Sequence, residues 1–206
     1  YGNCMKNKKN YSFYGKSTKV PFFVPFIDKS DILKMKKTLN STVLTNGPKL
    51  KQFETAFRKV TKAKFAVGVS NATSALHLSL NAIGIEQGDE VLVPNLTFAA
   101  SANSIILAGG TPVIVDVNET MNISSNSIRK AISKKTKAIM PVHFAGLSCQ
   151  MDEIKDIAKA NSLKIVEDCA HAIGTKFKSK HVGTIGDAGC FSFYPTKNIS
   201  TIEGGM

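Results

Sequence analysis

Short runs of β-branched and apolar residues alternate with helical segments along most of this chain, and that alternation constrains its fold most strongly. Within 73–83, Leu76, Leu80 and Ile83 recur at i, i+4 and i+7, which places them on one face of a helix. This order predicts an α/β, three-layer sandwich with a mostly parallel central sheet, because parallel strands need crossover connections. The predicted strands are 65–69, 90–93, 112–116, 138–142, 163–167 and 189–193, and the further crossover helices are 97–108, 124–133 and 151–160.

The residues before this region form a second pattern. Segments 30–39 and 48–60 are predicted helices on either side of a turn at 45–47, and Pro48 suits a first helical turn because it has no N–H to leave unpaired. Residues 1–20 hold five lysines, no acid and no periodic pattern, which predicts a basic, flexible N-terminal arm. Residues 21–206 are long enough for one large domain.

Composition and charge argue against several classes of protein. No stretch approaches the roughly 20 apolar residues of a membrane helix. Four cysteines without a CxxC pair indicate reduced thiols in a cytoplasmic protein, with neither a disulfide framework nor a metal site. The net charge of +12 raises nucleic acid as a partner. The lysines, however, are scattered along predicted helices or gathered in the arm, so solvated helix faces explain them better.

The turns after the first two predicted strands are the first places to look for a site, because ligands of open α/β sheets bind beyond the carboxyl ends of the strands. Residues 70–74 open a helix, and they are interpreted either as a phosphate cradle or as an ordinary N-cap. Phe98 follows the second strand and is interpreted either as a core residue or as a stacking platform. Neither motif alone distinguishes between its two interpretations.

Polar residues also end the later strands. His143 ends the fourth, either as part of a site or as a hydrogen-bonded strand-end histidine. Glu167 and Asp168 end the fifth, and one of the two is expected to face the site because alternate residues of a strand point to opposite sides. Lys197 follows the sixth strand and a proline turn, which suits Schiff-base chemistry if burial or a neighbouring cation lowers the pKa of its amine.

Taken together and in order, these motifs resemble the DegT-type (DegT/DnrJ/StrS) family of nucleotide-sugar aminotransferases. The resemblance runs from about residue 25 to the last residue, and it implies the large domain of a fold-type I enzyme that uses pyridoxal 5′-phosphate. The motifs that carry it are Asn71-Ala-Thr-Ser-Ala-Leu76, Val93-Pro…Thr97-Phe98, Glu167-Asp168…His171-Ala-Ile-Gly174, Phe191-Ser-Phe…Pro195-Thr-Lys197 and Glu203-Gly-Gly205.

The resemblance implies a role for each matching residue. Lys197 would attach the cofactor and move protons between cofactor and substrate, and Asp168 would pair with the pyridine nitrogen. Phe98 would stack on the ring. His171 would lie near the ring's 3-oxygen, at the position where many relatives carry glutamine. The phosphate would be held by Thr73, Ser74 and Ser192.

The reaction that the resemblance implies moves an amino group from an amino donor, glutamate in this family, to a nucleotide-linked keto-sugar for glycan or polysaccharide synthesis. Related dehydratases carry histidine in place of the lysine, so Lys197 favours transamination. Two alternatives stay open: a catalytically silent binding or regulatory module, and a fold-type I enzyme that acts on amino acids alone. The implied partners are a nucleotide sugar, the amino donor and a second copy in a cytoplasmic homodimer.

The chain is shorter than the family pattern. Members are about twice as long and continue into a smaller C-terminal domain, so we expect 21–206 to be an incomplete large domain. On this interpretation the sequence is a fragment with little or no turnover by itself.

Overall fold

The computed structural model describes residue 24 and residues 27–206, so the predicted arm at 1–20 and the domain boundary at 21 lie outside the described residues. Between residues 72 and 168, helices alternate with strands in the predicted order. The helices are α1 (Lys29–Leu39), α2 (Pro48–Thr61), α3 (Ala72–Ala82), α4 (Ala100–Leu107), α5 (Ser125–Ala131) and α6 (Met151–Ala160), with a 3-10 turn at Phe144–Gly146. The strands are β1 (Glu90–Pro94), β2 (Thr111–Val115), β3 (Thr136–Ile139), β4 (Lys164–Asp168), β5 (Lys176–Phe177), β6 (Lys180–His181) and β7 (Ala188–Cys190).

Five of the strands form one sheet in the order β2-β1-β3-β4-β7, and every neighbouring pair in it is parallel. The remaining two, β5 and β6, form a small antiparallel hairpin. The predicted α/β class with a mostly parallel sheet is therefore confirmed. Because the strands are parallel, their carboxyl ends share one edge of the sheet.

Helices cover both faces of the sheet, as the three-layer prediction requires. On one face, Leu76 and Leu80 of α3 and Ile105 of α4 pack against strand residues such as Val91. On the other face, α5 and α6 pack against the alternate strand residues, including Leu92. Burial of two apolar faces explains why the strand sequences are apolar almost throughout.

The N-terminal helices begin where the sequence places them. Asp28 caps α1 by accepting from the Asp31 N–H at 3.0 Å, and Pro48 opens α2. Helix α2 adds Phe57 to an aromatic cluster whose rings include those of Phe191 and Phe193. Helix α1, by contrast, contains no buried residue. Among the described residues, no helix has the length and apolar character needed to span a membrane.

The predicted strand at 65–69 is wrong. Only Val69 pairs there, through an isolated bridge to Gly205 with N–O distances of 3.0 and 2.9 Å. Phe65 and Val67 are 73% and 66% exposed. An alternating pattern predicts an extended backbone but not a neighbouring strand, and these residues have no ladder partner in the described part of the chain.

Candidate active site

A cavity of about 640 Å³ lies at the carboxyl edge of the sheet, beside the N-terminus of α3. Segments that follow four different strands, β1, β3, β4 and β7, contribute to its wall, and so does the first turn of α3. Parallel strands bring these distant segments together. Six of the seven predicted site residues line the cavity: Thr73, Phe98, Asp168, His171, Ser192 and Lys197.

The seventh, Ser74, does not line this cavity. Its backbone N–H donates to Asn71 Oδ1 at 2.8 Å, and its hydroxyl lies 3.0 Å from that of Ser70. Asn71 is therefore the N-cap of α3, and it also lines the cavity. The cap occupies the N–H of Ser74, and the phosphate contact of Ser74 stays a prediction.

Gly205 packs tightly against the start of α3. A Cβ on Gly205 would lie 2.4 Å from the carbonyl carbon of Asn71, so only glycine lets the two backbones approach. The same residue bridges both Val69 and Ser192. Gly205 thus holds the first turn of α3 beside the segment that carries Ser192.

Asp168 is the last residue of β4 and is 5% exposed. Its Oδ1 accepts from the Ala170 N–H at 3.1 Å, and its Oδ2 accepts from the Ser101 hydroxyl at 2.8 Å. Each oxygen of a carboxylate offers more than one acceptor site, so these two bonds leave acceptor capacity for a group in the cavity. Asp168 therefore contributes a buried negative charge to this wall.

Glu167, the preceding residue, points to the opposite side and is fully buried. Its Oε1 accepts from the N–H groups of Ile185 and Gly186 at 2.8 and 2.7 Å. Its Oε2 accepts from the Gly183 N–H at 2.8 Å and lies 3.0 Å from His143 Nε2. The prediction that only one of the two carboxylates faces the site is confirmed, and it is Asp168.

His143 takes part in this buried network and not in the cavity wall. Its Nδ1 accepts from the Cys149 N–H at 3.1 Å, so Nε2 carries the proton and donates to Glu167. His143, Glu167 and Cys169 lie close enough together to suggest a metal site. The imidazole and the carboxylate are already hydrogen-bonded within the protein, however, so this cluster is a structural network.

Lys197 and His171 both line the cavity, Lys197 as a half-buried side chain and His171 as an exposed one. Burial lowers the pKa of the Lys197 amine below its ordinary value, and the negative charge of Asp168 opposes that change. Burial also lowers the pKa of His171, the positive charge of Lys197 lowers it further, and Asp168 opposes both effects. The charge of Asp168 therefore acts on the pKa of both Lys197 and His171.

Phe98 is 79% exposed, on the loop between β1 and α4. This exposure excludes the interpretation of Phe98 as a core residue and leaves one face of its ring free for a ligand. Ser192 follows β7 and is 9% exposed, with its hydroxyl 3.4 Å from the Tyr194 N–H. An aromatic face and a hydroxyl thus belong to the same cavity.

Sequence reasoning missed several residues of the site. Thr97, Tyr194, Thr196 and Glu203 also line the cavity. Ser101 supports it from behind, through Asp168. The one signal in the sequence that bears on Ser101 is its i, i+4 spacing from Thr97 in a predicted helix. That spacing predicts that the two side chains are neighbours, but it does not indicate a binding site.

A family model described as the DegT/DnrJ/EryC1/StrS aminotransferase family matches residues 25–206. The spore coat polysaccharide biosynthesis protein SpsC of Bacillus subtilis is 47% identical over 188 residues, covering 91% of this chain and 48% of SpsC. The GDP-perosamine synthase of Escherichia coli O157:H7 is 44% identical over 189 residues, covering 91% of this chain and 52% of the synthase. The chain thus spans about half the length of the curated relatives it matches.

Solved structures agree with this assignment. The putative sugar aminotransferase Spr1654 from Streptococcus pneumoniae, in its PLP form, superposes with a TM-score of 0.86 at 36% identity, covering 90% of this chain and 52% of Spr1654. Helicobacter pylori PseC, an aminotransferase involved in the biosynthesis of pseudoaminic acid, superposes with a TM-score of 0.84 at 33% identity, covering 88% of this chain and 49% of PseC. The chain belongs to the DegT/DnrJ/EryC1/StrS aminotransferase family.

Proposed function

We propose that the whole protein is a pyridoxal-phosphate-dependent aminotransferase that acts on a nucleotide-linked keto-sugar. An amino acid, for which we propose glutamate, gives up its amino group and leaves as a 2-oxo acid, while the keto-sugar becomes an amino-sugar. The observation that carries the proposal is that an amine, Lys197, and a carboxylate, Asp168, line one cavity at the carboxyl edge of the sheet.

The chemistry of the cavity wall fits this cofactor. Pyridoxal phosphate presents an aldehyde, a basic ring nitrogen, a flat ring and a phosphate. Facing it are an amine with a lowered pKa, a buried carboxylate, the exposed ring of Phe98 and the hydroxyl-bearing residues Thr73 and Ser192. The wall therefore offers a matching group for every part of the cofactor.

When bound, pyridoxal phosphate supplies an aldehyde that takes up amino groups and a protonated ring that accepts electrons. Lys197 attaches the cofactor through its neutral amine, which a lowered pKa makes more abundant near neutral pH. The same amine can then move a proton between neighbouring carbon atoms as general base and general acid. Asp168 keeps the ring nitrogen protonated, because a nearby negative charge favours the charged form.

The remaining wall residues orient the ring. Phe98 would stack against one face of the ring, and His171 would lie near the 3-oxygen. Thr73 and Ser192 hold the phosphate close to the N-terminus of α3, where the helix dipole favours an anion, and the Ser74 hydroxyl stays a further candidate. The family resemblance supports these proposed roles, and so does the presence of Phe98, His171, Thr73 and Ser192 on the cavity wall.

The sugar substrate is inferred from relatives. GDP-perosamine synthases from two bacteria and SpsC are among the curated relatives, and each of these matches covers 91% of this chain. We therefore propose a nucleotide-linked keto-sugar used in glycan or polysaccharide synthesis. We also propose that the whole protein acts in the cytoplasm as a homodimer, and the exposed apolar residues of α1 are consistent with a surface that another chain covers.

Covalent trapping tests the cofactor site. The protein is incubated with pyridoxal phosphate, reduced with borohydride, digested and mapped by mass spectrometry. We expect the pyridoxyl group on Lys197, a visible absorbance band before reduction, and loss of both in Lys197→Ala. Lys180→Ala removes an exposed lysine of β6 and is the matched control. An adduct on a different lysine would refute the proposed site.

A second measurement separates an enzyme from a silent binding module. Addition of an amino donor to the loaded whole protein should convert the bound cofactor to its amine form and abolish the visible band. A nucleotide-linked keto-sugar should then restore it. A band that persists with every amino donor tried would favour the silent module.

A further inference from the structure

The side chains behind Asp168 form a short hydrogen-bonded chain that reaches the cavity wall. Ser101 lies in the first turn of α4, is fully buried, and donates its hydroxyl to Asp168 Oδ2 at 2.8 Å. Thr97 Oγ1 lies 2.7 Å from Ser101 Oγ, and Thr97 lines the cavity. Two hydroxyls therefore connect the carboxylate to the loop between β1 and α4.

The direction of this chain follows from what each group can donate. A carboxylate only accepts, so the single hydroxyl proton of Ser101 is committed to Asp168. Thr97 Oγ1 must then donate to Ser101 Oγ. Donors arranged in series polarise one another, which strengthens the bond that reaches the carboxylate.

The two bonds to Asp168 fix the plane of its carboxyl group. Rotation about the last side-chain bond of an aspartate is broad in the absence of partners. Here the Ala170 N–H holds Oδ1 and the Ser101 hydroxyl holds Oδ2, while the Asp168 N–H donates to the Pro141 carbonyl at 2.8 Å. Both the carboxyl group and the backbone that carries it are held before any ligand enters.

We infer that Ser101 is a positioning residue, which fixes the carboxylate of Asp168 for the ring nitrogen of pyridoxal phosphate and is itself held by Thr97. This inference rests on the proposed function, since it requires that cofactor. Hydrogen bonds weaken steeply as their angle departs from linear, so a carboxylate that rotates freely binds a ring nitrogen less tightly. Thr97 also directly precedes Phe98, so the same chain ties the aromatic loop to the strand that carries the carboxylate.

Affinity for the cofactor tests the inference without a turnover assay. Ser101→Ala removes the donor with little change in volume. Ser104→Ala is the matched control, because Ser104 is also fully buried on α4 but donates to the backbone carbonyl of Ser101 at 2.8 Å. In a spectroscopic titration of the apo protein, we expect Ser101→Ala to weaken pyridoxal phosphate binding on the order of tenfold, and Ser104→Ala by less than about twofold.

A double-mutant cycle shows whether Ser101 acts through Asp168. In an Asp168→Asn background, Ser101→Ala should change the dissociation constant by less than about twofold. Equal losses in both backgrounds, or an equal loss in Ser104→Ala, would overturn the inference. A purely structural role would instead lower the urea midpoint and weaken binding in both backgrounds.

Two further outcomes keep the inference falsifiable. If Ser101→Ala fails to fold, Thr97→Val removes the preceding donor while keeping the side-chain shape, and binding about threefold weaker is expected; unchanged binding would refute the inference. If the wild-type protein binds no pyridoxal phosphate, the proposed function itself fails. Tight binding that is insensitive to Ser101→Ala refutes only the role of Ser101.

Discussion

Replacement of Glu167 by glutamine should destabilise the folded protein by roughly 3–5 kcal/mol. The wild-type carboxylate receives two donors on each oxygen: Ile185 and Gly186 on Oε1, and Gly183 and His143 on Oε2. Glutamine keeps one acceptor oxygen and places an NH₂ group where the other was. Whichever way the amide turns, two buried donors face that NH₂ group, and each unsatisfied donor costs about 1–3 kcal/mol.

Equilibrium urea unfolding at pH 7 measures this loss directly. Asp187→Asn is the matched control, because Asp187 accepts a single backbone bond, from the Ile165 N–H at 2.9 Å, and its side chain is 35% exposed. We expect a loss of about 1 kcal/mol for the control. A loss below about 1 kcal/mol for Glu167→Gln, or one no larger than that of the control, would refute the reasoning.

The free energy of unfolding of the wild type should also depend on pH. Burial by itself raises the pKa of Glu167, but the bonds donated by His143, Gly183 and Gly186 outweigh it and leave the pKa below its ordinary value. A lowered pKa stabilises the folded state above the unfolded value of about 4.3, and this contribution is lost as the pH falls through the folded pKa. The wild type should therefore lose stability below about pH 4 more steeply than Glu167→Gln.

Three other results are expected. Because burial lowers the pKa of Lys197, the fraction of protein that borohydride traps with pyridoxal phosphate should reach half its maximum at a pH below the ordinary lysine pKa of about 10.4. A midpoint at or above that pH would contradict the lowered pKa. In Gly189→Ala, the new Cβ would lie 2.2 Å from Gly183 Cα, so urea unfolding should show a loss of about 3 kcal/mol, and a neutral effect would contradict the close packing. Burial raises the pKa of the Cys149 and Cys190 thiols to about 12, so mass spectrometry after alkylation at pH 8 should find both unlabelled until urea unfolds the protein; labelling of the native protein would argue against their burial.

The parallel sheet and most of its elements could be predicted from local patterns alone. The periods of the apolar residues indicated α3 and β1 correctly, because burial on one helix face or on both strand faces leaves a direct trace in the sequence. The prediction failed at 65–69, where the pattern is that of a strand but only Val69 finds a partner. Pairing depends on residues distant in sequence, which no local pattern contains.

The candidate site, too, was predictable only where local patterns determine it. Because all parallel strands end at one edge, the sequence indicated that Asp168 and Lys197 would share a cavity, and alternation indicated that only one carboxylate would face it. The identity of the N-cap was left open, and the structure assigns it to Asn71. Ser101 could not be found from the sequence, since its role depends on its distance from a residue 67 positions away.

Glu167 and Asp168 are adjacent in β4, but their side chains point to opposite sides because side-chain direction alternates along an extended strand. A one-residue insertion or deletion within β4 would exchange their directions. The Glu167 carboxylate, which accepts from four donors, would then enter the cavity, and the Asp168 carboxylate would be buried among groups arranged for a longer side chain. Substitutions at position 167 should therefore reduce the amount of folded protein that a cell accumulates. Substitutions at position 168 should leave that amount unchanged and reduce the fraction of the protein that binds pyridoxal phosphate.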